Sequence, residues 1–140
     1  MERPFFVSLP LAGEGDADIL VTLAAFWSAA IDAILRNYGF FKLSAELLIL
    51  SRDDVELRKL MERQSRSSQA SIVKSLLRVA RIDTNSEAWP ALSTLSRVII
   101  TYTRGALMSS AGDHQLLRRE MENFYPILSA AFVALGHEQD

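Results

Sequence analysis

The side chains able to do chemistry are few and scattered. His114 and His137 are the only histidines in 140 residues. Neither has a ligand-like partner three or four positions away, so no metal centre is expected. Glu120 and Glu122 come closest to a carboxylate pair, but on a helix that spacing puts them on neighbouring faces, where they read as solvated surface. Ser65, Ser67, Ser68 and Ser71 make a hydroxyl cluster without a base close by to activate any of them. There is no Gly-rich phosphate loop and no Gly-x-Ser-x-Gly elbow. Cysteine is absent, which removes disulfides and thiolate chemistry and suits a reducing compartment. No catalytic residue and no cofactor is expected, and the chain does not read as an enzyme.

A polar interruption in an apolar stripe is more informative. A long helix opening near Asp53 turns Leu57, Leu60 and Met61 inward and resumes the same face with Ile72, Leu76 and Val79. Between them that face carries Gln64, Ser65 and Ser68. Polar groups buried without partners cost roughly 1–3 kcal/mol each. Either the stretch from Arg63 to Ser71 leaves the core and meets water, or these groups line a cavity that takes a ligand.

The elements that would position them are all helical. Residues 1–15 hold Pro4, Pro10, Gly13 and Gly15 and read as an irregular arm, leaving 16–140 as one helical domain. Asp16 can cap a first helix reaching about Asn37. Asp18, Thr22, Ala25, Ala29, Asp32 and Arg36 form its narrow outward stripe, with Asp32 and Arg36 spaced as an i,i+4 pair. Asn37-Tyr-Gly39 breaks the pattern, and a short helix follows from Phe40 to Leu50. Asp53-Asp-Val-Glu56 and Thr84-Asn-Ser-Glu87 read as capping boxes for the third and fourth helices. The third runs to about Ile82; the fourth has Pro90 in its first turn and runs to Ser110. Ala111-Gly112-Asp113 supplies a stop glycine and a fresh cap, and the last helix, with Pro126 expected to kink it, ends near Gly136. No segment alternates with period two. The expected fold is all-α, a bundle of about five helices.

The totals agree with one globular domain. Fifteen basic against seventeen acidic residues leave a net charge of −2, with no surplus to neutralise phosphates, so nucleic acid is a poor partner for this chain by itself. The longest apolar run, Ile19 to Leu35, holds Thr22, Ser28 and Asp32 and reads as a buried helix, not a membrane span. The N-terminus, with two prolines and an acidic residue, is a poor signal peptide. A soluble, cytoplasmic protein is the expectation.

The last two helices look too apolar for a small monomer to cover. Leu92, Leu95, Ile99, Tyr102 and Ala106 form one face of the fourth, and Val98, Gly105 and Met108 a second. In the fifth, Leu117, Met121, Phe124, Leu128, Ala131 and Phe132 make one stripe. A symmetric four-helix contact in a homodimer would cover Val98, Gly105 and that stripe. The alternative is a monomer whose own core uses both faces.

The stretch from Gly39 to Ile82, with Gly-Phe-Phe-Lys-Leu-Ser-Ala-Glu-Leu-Leu and then Asp-Asp-Val-Glu-Leu-Arg-Lys-Leu-Met-Glu-Arg, resembles the middle of the C-terminal regulatory domain of tetracycline-repressor-type (TetR) transcriptional regulators. The two helices after Thr84 are similar to the pair that forms that family's dimer interface. The resemblance spans roughly residues 16 to 136 and rests on pattern and helix length. It implies a homodimer with an internal, largely apolar pocket for a small-molecule effector, with Trp27 and Phe41 as walls, Gln64 and Ser68 as polar contacts and Tyr102 as a hydroxyl-bearing wall. Such regulators carry a basic helix-turn-helix head that nothing here matches, so DNA contact would come only through a domain absent from this chain. The competing reading is a headless, dimerising protein that modulates a full-length regulator.

Overall fold

The computed structural model describes residues 16–80 and 89–139. The arm at 1–15 and the capping box at Thr84–Glu87 lie outside them. Among the described residues there are five α-helices and no strand: α1 (Asp16–Arg36), α2 (Tyr38–Leu50), α3 (Val55–Ala80), α4 (Trp89–Ser109) and α5 (His114–Gln139), with a 3-10 turn, Ser51–Asp53, between α2 and α3. The all-α bundle expected from the sequence is the fold observed.

The boundaries follow from local hydrogen bonding. Asn37 closes α1 twice over, its backbone and its side-chain amide both donating to the Ala33 carbonyl. α2 restarts at once, so Gly39 lies within it instead of in a break. Ser51 donates its hydroxyl to the Leu48 carbonyl at 2.6 Å, and the 3-10 turn that follows moves the cap of α3 one residue on from Asp53. Asp54 Oδ1 accepts from the Leu57 amide at 3.0 Å. Asp113 does the same for α5, accepting from Leu116 at 3.0 Å. Between α4 and α5 both Ala111 (φ 50°) and Gly112 (φ 89°) take the left-handed conformation, so the turn strains an alanine as well as using its glycine. α5 continues through Pro126 as one helix.

α1 sits against α2, α3 and α5. Its core side is Leu23, Phe26, Trp27, Ala30, Ile31 and Ile34. Of the expected outward stripe Ala25, Asp32 and Arg36 are exposed, but Thr22 is buried, its hydroxyl donating to the Asp18 carbonyl, and Val21 beside it is 70% exposed. Asp32 also chooses a different partner. It pairs with Arg118 of α5 at 2.9 Å instead of Arg36, and both side chains stay about half exposed, so the pair contributes less than about 1 kcal/mol. By length and composition α1 is apolar enough to cross a membrane, the one such helix among the described residues, and nearly half of that stretch is packed inside the bundle.

Two long-range hydrogen bonds tie α5 to α1. Trp27 Nε1 donates to the Met121 carbonyl at 2.8 Å, and the Tyr125 hydroxyl donates to the Leu20 carbonyl at 3.0 Å. Leu117, Met121 and Leu128 are fully buried, and Phe124 and Phe132 nearly so, within this single chain. This corrects their expected place at a subunit contact. The wide apolar stripe of α5 is consumed by α1 and α4, leaving none of those five side chains for a second copy. Val98 and Gly105 remain on the surface and Ala131 is half-buried.

α3 is built of two unlike halves. From Val55 to Ser71 only Met61 is buried, whereas Val73, Ser75, Leu76, Leu77 and Val79 are all buried further on. Val55 and Leu60 in the first half are more than half exposed.

Among the described residues one buried side-chain polar atom has no partner. The Tyr38 hydroxyl makes no hydrogen bond, while its ring packs on His114 with centroids 4.4 Å apart. Tyr38→Phe is therefore expected to raise the unfolding free energy, by about 1 kcal/mol, and Tyr125→Phe to lower it by a similar amount. Urea titration of the two variants checks the opposite signs.

Candidate functional site

Four helices leave a cavity of about 330 Å³ between them, at the small end of the range for ligand pockets. α1 presents Phe26, Trp27, Ala30 and Ile34, and α2 presents Phe41 and Ala45. α4 closes the far side with Ile99, Ile100 and Leu107. These walls are apolar because each helix turns its core face toward the others, yet the faces do not meet. α3 supplies the polar side: Gln64, Ser65, Ser68 and Ser71 all line the space, with Met61 below them. Phe40, Ser67 and Ser68 are lining residues that are also exposed, and they mark the mouth.

The serine stretch both meets water and lines the cavity. The cavity opens along α3, so Ser67 and Ser68 reach water while Gln64, Ser65 and Ser71 are half-buried behind them. Gln69 leaves the site altogether, donating to the Ser93 hydroxyl at 2.6 Å and fixing α3 to α4. Gln64, Ser68 and Ser71 make no side-chain hydrogen bond with another described residue, so their donors and acceptors are available to a guest.

Trp27, Phe41, Gln64 and Ser68 are thus brought to one place. Tyr102 is not. It points from α4 to α5, donating its hydroxyl to the Glu120 carbonyl at 2.6 Å and stacking on Phe124 with centroids 4.4 Å apart. Burial, then the nearby Glu120 charge, pushes its phenol above the ordinary tyrosine value. On its outer side Tyr102 borders a shallow groove with Thr94, Arg97, Val98 and Thr101. The i,i+3 spacing of Ile99 and Tyr102 suggested a common face, but at Tyr102 the helix has already turned toward α5.

The residue that sequence reasoning missed is Arg104. It lines the cavity from α4, and its guanidinium donates to Ser65 Oγ at 2.6 Å. Burial pulls its pKa below the ordinary arginine value, with no neighbouring charge offsetting the loss of water. The signal was present: Ile100, Thr103, Arg104 and Leu107 form a stripe at spacings of three and four, and an arginine on an inward stripe needs a reason.

The arrangement offers hydrogen bonds, apolar area and one cation. It offers no acid–base pair and no nucleophile with a base in reach, and among the described residues no three His, Asp or Glu side chains gather around a common point. Compared with known protein families, curated proteins and solved structures, the chain shows no match.

Proposed function

We propose that this chain is a small-molecule-binding helical domain, of the kind that senses an effector in TetR-type transcriptional regulators. The observation that carries the reading is the cavity of about 330 Å³, apolar along α1 and most of α2, with Thr103 and Arg104 among the apolar residues of α4, and lined along α3 by side chains with unused hydrogen-bonding capacity. A packed bundle of this size normally fills its interior to crystal density. A cavity this large, open along α3 and with polar groups on that wall, keeps apolar side chains of α1, α2 and α4 in contact with water that a bound molecule would displace.

The resemblance adds a homodimer to this reading, in the cytoplasm, with DNA engaged only through a helix-turn-helix domain supplied elsewhere. The dimer contact would use the outer face of α4 around Val98 and Gly105, with Met108, and the exposed side of α5 at Ile127; Val98, Met108 and Ile127 are each more than two-fifths exposed. Effector binding would act by favouring one arrangement of the helices over another.

Native mass spectrometry of the purified chain tests both parts together. The expected spectrum is a dimer carrying the added mass of a small molecule, which Ala45→Phe, filling the cavity from α2, removes. A chain that neither retains nor takes up any small molecule overturns the ligand part. A monomer at every concentration overturns the dimer part.

A further inference from the structure

Arg104 limits what can occupy the cavity. Of all its lining residues this is the only one with a charge. Among the described residues no carboxylate comes within salt-bridge distance of it, the two ion pairs being Lys42–Glu46 and Asp32–Arg118. Among the described residues its one side-chain hydrogen-bond partner is the neutral hydroxyl of Ser65. A guanidinium has five N–H donors in a planar fork suited to a carboxylate, and one bond to a hydroxyl leaves most of that fork unused. A cation partly removed from water without a counter-charge is costly, and a bound anion would offset that cost.

We propose that the cavity binds an amphipathic monoanion, a carboxylate or similar single acidic head on an apolar body, with Arg104 holding the head. The inference rests on the reading of the cavity as a ligand site and goes beyond it by fixing the charge and polarity of the ligand. Ser65, Ser68 and Gln64 stand on the same polar wall and donate to the oxygens that Arg104 leaves free. Phe26, Trp27 and Ile34 on the opposite side receive the apolar body. One cation with neutral neighbours suits a single negative charge; a phosphate dianion would lack a second counter-charge. A cationic ligand would meet Arg104 with no acidic residue to balance it. The lowered affinity of the buried guanidinium for its proton is the same desolvation seen from the other side.

The test uses two pairs of probes that differ only in the head: octanoate with octanol, and 4-phenylbutyrate with 4-phenylbutanol. Binding to the full chain is read by titration calorimetry and by the change in tryptophan fluorescence, since Trp27 lines the cavity. At least one acid is expected to bind about ten- to hundredfold more tightly than its alcohol. Arg104→Met, close in length and uncharged, is expected to remove that difference and leave alcohol binding unchanged. Arg104→Lys keeps the charge without the fork and is expected to retain part of it. Acids and alcohols bound equally by the unaltered chain, or Arg104→Met leaving acid binding intact, would overturn the monoanion and leave the cavity reading standing. No binding of any of the four overturns both. Loss of acid and alcohol alike in Arg104→Met would mean that Arg104 shapes the cavity instead of selecting its guest, and overturns the proposal too.

Discussion

Leu128→Ala is expected to lower the unfolding free energy by about 2–5 kcal/mol, and by the same amount at every protein concentration. The side chain is fully buried inside one chain, so its loss leaves a hole that α1 and α4 close only in part. Against the roughly 5–15 kcal/mol that holds a domain of this kind together, the change is large. The concentration series carries the argument. A leucine at a subunit contact would show its loss as weaker dimerisation, with a midpoint that moves with concentration. A urea midpoint that falls without such movement puts Leu128 in the core of the monomer. A midpoint that shifts with concentration in Leu128→Ala more than in the unaltered chain would return it to an interface.

Trp27→Ala is expected to cost about 3–5 kcal/mol and also to change what the cavity holds. Trp27 belongs to two structures at once. Its ring forms part of the cavity wall and packs on Phe124 of α5 at a centroid distance of 5.6 Å. Its indole N–H donates to the Met121 carbonyl of α5. Removing the ring joins new space to the cavity, so a bulkier guest should gain on a smaller one. Trp27→Phe separates the two roles. It keeps an aromatic wall and loses the hydrogen bond, and the expected loss is nearer 1 kcal/mol with the guest preference unchanged. Chemical denaturation and probe titrations on both variants check this; equal stability losses in the two would mean that the hydrogen bond, not the ring, carries the contribution.

The sequence made the helices legible because their signals are local. Asp113 after Gly112 announced the start of α5, and the 3.6-residue period of Met61, Leu76 and Val79 gave the inward side of α3, though Leu60, expected on that side, is more than half exposed. The polar break at Gln64 to Ser71 pointed to the cavity for the same reason: it interrupts a period, and a period can be read without coordinates. What could not be read was how the faces distribute among partners. Apolar area on α5 looks the same in sequence whether a neighbouring helix of this chain or a second copy covers it, and the structure gives Met121 and Phe132 to the first. Asp32 met Arg118, eighty-six residues away, because helix crossing and not spacing decides such a pair. Tyr102 and Arg104 differ by two positions, about 200° around the helix, so they face nearly opposite sides of α4: the stripe through Tyr102 meets α5, and the one through Ile100, Thr103 and Arg104 meets the cavity.

The uneven anchoring of α3 bears on how a guest of the proposed kind would exchange. A helix opens from its least buried end, and the free energy of such local opening is a fraction of that for the whole molecule. In α3 that end is the half beginning at Val55, held by Met61, and it is also the half that carries Gln64, Ser65 and Ser68. Amide exchange along α3 is therefore expected to be graded, fast before Ser71 and slow after Val73. Under the proposed function, a guest too large for the mouth at Ser67 and Ser68 would pass by the fraying of this helix end while the rest of the bundle stays closed. Its residence time would then follow that fraying, and its affinity the walls.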